Sequence, residues 1–216
     1  MLGGLDLQTM VYDHGPQPPE RVVKLLRQVC HSLFEAHRGG LVHRDIKPAN
    51  IFVCRYGVDL DFVKVLDFGI VKRAEIKGVS DAQLTQMGAI SGTPAYMAPE
   101  MALGEGKVDG RADIYALGCV AYWMLTAQTV FEKPSALGMI VAHTHEKPMP
   151  ISERTQQPVP EPLERIVMQC LAKQPDERPE NTQELSRMLK ELGIESDWTL
   201  ERAGQWWSEY ESRNAG

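Results

Sequence analysis

At 216 residues the chain is long enough to bury one substantial core. Its net charge of −6, with acids and bases interspersed, offers no basic patch for nucleic acid and no tail of one sign. The longest apolar run, Ile114 to Leu125, is too short to cross a bilayer, and the start at Met1 lacks the basic and apolar parts of a signal peptide. Cys30, Cys54, Cys119 and Cys170 are widely spaced without a Cys-x-x-Cys pair, which reads as buried free thiols in a reducing cytoplasm.

Residues 1–15 read as a tight loop followed by a short helix ending at Gly15. Pro18-Pro19-Glu20 opens a second helix, with Pro tolerated in its first turn. Val22, Leu25, Leu26, Val29, Leu33 and Ala36 give it one apolar face, and Gly39-Gly40 ends it. Cys30, His31 and His37 on this helix read as core or surface filler. Next comes His43-Arg44-Asp45-Ile46-Lys47-Pro48-Ala49-Asn50, and shortly after it Asp67-Phe68-Gly69. Between them, Ile51–Cys54 and Phe62–Leu66 are β-rich runs around a polar turn at Arg55–Asp61, a hairpin pattern. Such a hairpin sets Asn50 at the start of one strand beside Asp67 at the end of the other.

These residues match the needs of phosphoryl transfer, which asks the protein for placement more than for covalent chemistry. Asp45 can accept a proton from an acceptor hydroxyl, and Lys47 can cover charge on the transferred group. Asn50 and Asp67 offer oxygen ligands to Mg²⁺, a hard cation that prefers them.

The ordered set His43-Arg44-Asp45-x-Lys47-x-x-Asn50, Asp67-Phe68-Gly69 and Ala98-Pro99-Glu100 resembles the signature of the protein kinase family. Lys47, and Gly92-Thr93 ahead of Ala98-Pro99-Glu100, resemble its serine/threonine branch, with the flavour of the bacterial eukaryotic-like enzymes. The resemblance covers residues 1 to about 192. It implies a mostly α fold with a small β-hairpin: the large (C-terminal) lobe of the protein-kinase-like α+β fold. Gly3-Gly4-Leu5-Asp6-Leu7 resembles the segment just after the kinase hinge. The Gly-rich phosphate loop and the Val-Ala-Ile-Lys-like strand of the small lobe have no match upstream of Asp45. The expected organisation is residues 1–193 as the catalytic-domain C-terminal lobe and 194–216 as a helical tail.

The resemblance further implies ATP and Mg²⁺ as cofactors, with Asp45, Lys47 and Thr93 catalytic, Lys47, Asn50 and Asp67 contacting the nucleotide complex, and Asn50 and Asp67 as metal ligands. His43 becomes a residue bracing the loop. Arg44 becomes a phosphate-binding fork, suited to a phosphorylated activation segment. Residues 70–97 read as that segment, with Thr85 the first and Ser91 the second candidate for phosphorylation. Glu100 is expected to pair with a distant buried Arg178, and Asp113 to hold the backbone of the catalytic loop.

Ile114–Leu125 is apolar all round, the pattern of a central buried helix. Pro134–His145 reads as another helix, on which His143 and His145 splay and make a poor metal pair. Leu163, Ile166, Val167, Cys170 and Leu171 mark a further amphipathic helix. Asn181-Thr182-Gln183-Glu184 is a variant capping box before Leu185, Met188, Leu189 and Leu192. In the tail, Leu200, Ala203, Trp207 and Tyr210 share a helical face beside Trp206, and docking on the chain's own lobe is expected. The function implied is a protein serine/threonine kinase acting on protein substrates. The alternatives are a non-catalytic interaction module, self-associating through the face left open by the small lobe, and a small-molecule kinase of related fold. The Gly92–Glu100 platform, which suits a peptide, speaks against the last.

Overall fold

The computed structural model describes residues 3–68, 94–104 and 108–214. Strand β1 (Gly4–Asp6) leads into helices α1 (Leu7–His14) and α2 (Pro19–Arg38). A 3-10 turn at Pro48–Asn50 precedes β2 (Ile51–Tyr56) and β3 (Asp59–Val65). After another at Pro94–Tyr96 come α3 (Pro99–Leu103), α4 (Arg111–Thr126), α5 (Ala136–His145), α6 (Glu161–Cys170), α7 (Thr182–Glu191) and α8 (Leu200–Asn214). Among the described residues the fold is mostly helical, with one small antiparallel sheet ordered β1-β2-β3.

α4 is the axis of the core. Every residue from Ala112 to Thr126 is buried, as a helix without a polar face requires. α6 crosses it at Gly118, where a Cβ would lie 2.7 Å from the Cβ of Cys170. α2 turns its apolar face inward and packs against α7 and β3. All four cysteines are free and buried, and burial pushes the thiols of Cys30, Cys119 and Cys170 up, away from reactivity.

Four expectations need correction. The tight loop at the start holds a strand: Gly4–Asp6 pairs with Phe52–Cys54 of β2. Glycine is required at Gly4, since a Cβ there would lie 2.4 Å from the carbonyl oxygen of Val53. Asp6 then caps α1, accepting from the Thr9 N–H at 2.8 Å. A strand of three residues carries no periodicity for a sequence to display.

The polar turn at Arg55–Asp61 is also shorter than its composition suggests. Both strands run on into it, leaving Gly57-Val58 between them, with Gly57 in the left-handed region at φ +60°. Asp61 lies inside β3, fully buried and itself at φ +60°. The helix expected from Pro134 begins instead at Ala136, capped by the Ser135 hydroxyl accepting from the Gly138 N–H. In the tail Ala203 and Trp207 are buried and Tyr210 partly so, but Leu200 is 65% exposed; Trp198, ahead of α8, takes an inner position. The expected cap at Asn181 is present, its Oδ1 accepting from the Glu184 N–H at 2.9 Å. Gly69 and residues 70–93, with Thr85, Ser91 and Thr93, lie outside the described residues.

Candidate active site

α2 delivers the chain to the loop containing His43, Arg44 and Asp45, and α4 holds that loop from below. Asp113, in the first turn of α4 and buried, accepts from the His43 N–H through Oδ2 and from the Arg44 N–H through Oδ1, both at 2.8 Å. The same Oδ2 lies 2.8 Å from Nε2 of His37 at the end of α2. Gly110 makes room for that ring, since a Cβ there would fall 2.5 Å from its Nδ1. Arg44 takes φ +64°, a conformation that costs a non-glycine residue about 1 kcal/mol, and the Asp113 carboxylate holds it there.

His43 is fully buried. Its Nδ1 accepts from the Asp45 N–H at 3.3 Å, which leaves the proton on Nε2 to donate to the Leu66 carbonyl at 2.9 Å. Its ring rests on Phe68 at 4.6 Å between centroids. His43 thus braces the loop against the chain leading to Asp67, as expected from the sequence.

Asp45 Oδ2 accepts from Lys47 Nζ at 3.0 Å and from Asn50 Nδ2 at 3.2 Å. Asn50 Nδ2 also reaches the Asp45 carbonyl at 2.8 Å. The side chains of Asp45 and Lys47 keep 18% and 25% of their surface, enough for a substrate to meet them. The hairpin register sets Ile51 opposite Val65, and the Leu66 N–H donates to the Asn50 carbonyl at 2.8 Å. Asp67 follows in the left-handed region at φ +54° and is exposed. Asp45, Lys47, Asn50 and Asp67 are therefore gathered at one end of the sheet; Thr93 falls outside the described residues.

Beside this centre, Arg178 grips Glu100 with two parallel bonds of 2.8 Å. Its remaining donors reach the carbonyls of Arg111, Ala172 and Lys173. All five guanidinium N–H groups are used, which is what a buried charge requires. The pair ties α3, next to the platform at Pro94–Tyr96, to the segment between α6 and α7. Under the same platform His143 is fully buried, its Nδ1 2.8 Å from the Tyr115 hydroxyl. Burial lowers its pKa to about 4, with Lys173 adding to the effect. Lys173 donates to the His143 carbonyl at 2.7 Å, and burial brings it down to about 8. His145 points to solvent, so the two histidines do splay.

The sequence reading misses three of these contacts. His37 reads as filler, although it faces Asp113. Asp61 reads as part of a polar turn, although it is a buried acid. His143 reads only as a poor metal ligand. Each depends on a partner distant in the chain, and neither composition nor spacing near it announces that partner.

A family model described as "Protein kinase domain" matches residues 1–189. Serine/threonine-protein kinase Pkn1 of Myxococcus xanthus is 47% identical over 157 residues, which cover 73% of this chain and 22% of the relative. Serine/threonine-protein kinase PknB of Mycolicibacterium smegmatis is 38% identical over 182 residues, 84% of this chain and 28% of the relative. The chain thus spans about a quarter of the length of these relatives. Among solved structures, a crystal structure of the Mycobacterium tuberculosis PknI kinase domain superposes with a TM-score of 0.64 at 25% identity, covering 88% of this chain and 62% of that one. With the Glu100–Arg178 pair, the Asp113 tether and the helical lobe in place, these matches show that the chain belongs to the protein kinase family, in its bacterial eukaryotic-like serine/threonine branch.

Proposed function

We propose that this chain forms the substrate- and metal-binding half of a protein serine/threonine kinase that transfers the γ-phosphoryl group of ATP to Ser/Thr hydroxyls of proteins in the cytoplasm. The observation that carries the reading is the convergence of Asp45, Lys47, Asn50 and the strand leading to Asp67 at one end of the sheet. Asp45 orients the acceptor hydroxyl and takes its proton. Lys47, held 3.0 Å from Asp45, supplies positive charge beside the group in transfer, with Thr93 assigned to steady it. In this reading residues 1–193 are the lobe and 194–216 a tail.

The residues fit a Mg²⁺–nucleotide complex. Both side-chain hydrogen bonds of Asn50 run through its amide nitrogen, which leaves its Oδ1 as the atom that would meet a cation. Asp67 adds an exposed carboxylate on the adjacent chain. Bound there, the metal would neutralise phosphate charge while Asp45 and Lys47 orient the reacting groups.

The test is transfer of label from γ-labelled ATP with Mg²⁺ to a generic basic protein, with Asp45→Asn as control. Label that appears with the wild type and vanishes in the variant supports the reading. A folded wild type that transfers none, alone or joined to a kinase small lobe, favours a non-catalytic interaction module, for which self-association is the first property to measure.

A further inference from the structure

The family match stops at residue 189, yet the segment beyond it is bound to the lobe by buried polar bonds. A turn at Ile194–Asp197 and helix α8 lie across the start of α2 and across β3. The centre of the contact is Asp61. Its Oδ1 accepts from Arg21 at 2.8 Å and from the Trp207 indole N–H at 2.9 Å. Its Oδ2 accepts from Arg21 Nε at 3.0 Å and from the Trp198 indole N–H at 2.7 Å. Arg21 and Asp61 are both fully buried. The Arg21 guanidinium lies over the Trp206 ring at 3.7 Å and the Trp198 ring at 4.9 Å, and also donates to Gln17 at 2.9 Å.

A buried ion pair is tolerated only when its remaining bonding capacity is met. Here the tail meets it: without the two indoles, each Asp61 oxygen would keep a single donor. Arg27–Glu195, Arg202–Glu20 and Arg55–Glu211 ring the contact at the surface.

The two elements joined at Asp61 are the two that carry the chemistry. α2 runs into the loop of His43 and Asp45. β3 runs into Asp67, and its Val65 stands opposite Ile51, next to Asn50. Gln28 of α2 adds a direct tie, donating to the Asp61 carbonyl at 2.8 Å and accepting from the Val63 N–H at 3.1 Å.

We infer that the segment Ile194–Asn214 is a clamp in which Trp198 and Trp207 are positioning residues. Through Asp61 they hold the β2–β3 hairpin on α2, so that Asn50 and Asp67 keep their place against Asp45. The roles of Asn50 and Asp67 rest on the kinase reading; the clamp itself does not.

Trp198→Phe and Trp207→Phe each keep an aromatic ring while removing the indole N–H and part of the buried ring volume; Leu200→Ala on the exposed face is the control. Hydrogen exchange followed by mass spectrometry is expected to speed up by about tenfold or more over residues 51–66 and in the 43–50 loop of either Trp variant, with α4 unchanged. Faster exchange confined to 194–214 would overturn the clamp. In the transfer assay, the Mg²⁺ concentration at half-maximal rate is expected to rise several-fold with the KM for the protein substrate unchanged. A lower kcat at unaltered Mg²⁺ dependence would mean only fewer folded molecules, and would overturn the positioning role. If the wild type transfers no phosphate, alone or joined to a kinase small lobe, the kinase reading fails while the exchange result still decides the clamp.

Discussion

Replacing Asp113 by Asn tests how the loop of His43, Arg44 and Asp45 is held. The carboxylate serves three donors: the His43 and Arg44 N–H groups and His37 Nε2, each at 2.8 Å. An asparagine keeps one accepting oxygen; set at the Oδ2 position it still serves the His43 N–H and His37, and its N–H₂ then faces the Arg44 N–H, so one of the three bonds is lost. A hydrogen bond to a charged group is worth about 1.5–3 kcal/mol, and the orphaned Arg44 N–H is part-buried. The expected loss is therefore about 1.5–3 kcal/mol, a sizeable share of the roughly 5–15 kcal/mol that holds a domain together. Urea unfolding followed by tryptophan fluorescence should show a lower midpoint at unchanged slope. Adding Arg44→Gly should recover about 1 kcal/mol, because glycine adopts the +64° φ of Arg44 without strain. A loss below about 1 kcal/mol for Asp113→Asn would refute the reasoning and mean that the loop is held by His43 and Asn50 alone.

Three further outcomes are expected. Arg178→Lys leaves three donors where five are used, so it should destabilise by about 3 kcal/mol or more in a thermal melt; a shift near zero would show that Glu100 finds another partner. His143 is held neutral by burial, with its pKa lowered to about 4 from the ordinary 6.5. The unfolded chain then binds a proton that the folded one refuses, so stability should fall by about 3 kcal/mol as pH drops from 6.5 to 4 and level off below; His143→Gln should flatten that window in urea titrations across pH. Gly118→Ala puts a Cβ 2.7 Å from Cys170, so it should cost about 1–2 kcal/mol in unfolding experiments despite the better helix propensity; a stabilised protein would mean that α6 can shift.

What could be read from the chain alone was what local chemistry specifies. The apolar run around Ile114–Leu125 announced a buried helix because nothing in it can face water. Asn181 announced a cap, and Gly39-Gly40 a helix end, because those backbone positions favour those residues. The order of His43-Arg44-Asp45, Asp67-Phe68 and Ala98-Pro99-Glu100 identified the family, and with it the pairing of Glu100 with Arg178 and the tether from Asp113. These last two are long-range contacts that a resemblance can carry but composition cannot.

The tertiary structure decided everything that depends on an unannounced distant partner. Asp61 looks like a turn residue, since its neighbours Tyr56, Gly57, Asp59 and Leu60 are a mixed polar stretch. Its burial follows only when Arg21, Trp198 and Trp207 arrive from 40, 137 and 146 residues away and satisfy both oxygens. His37 looks like a surface histidine until α4 brings Asp113 to it, and Gly4–Asp6 has no strand signal until β2 offers its edge. A sequence states which groups a chain owns; a buried polar group becomes affordable, and so acquires its role, only where folding supplies every bond that water would otherwise make.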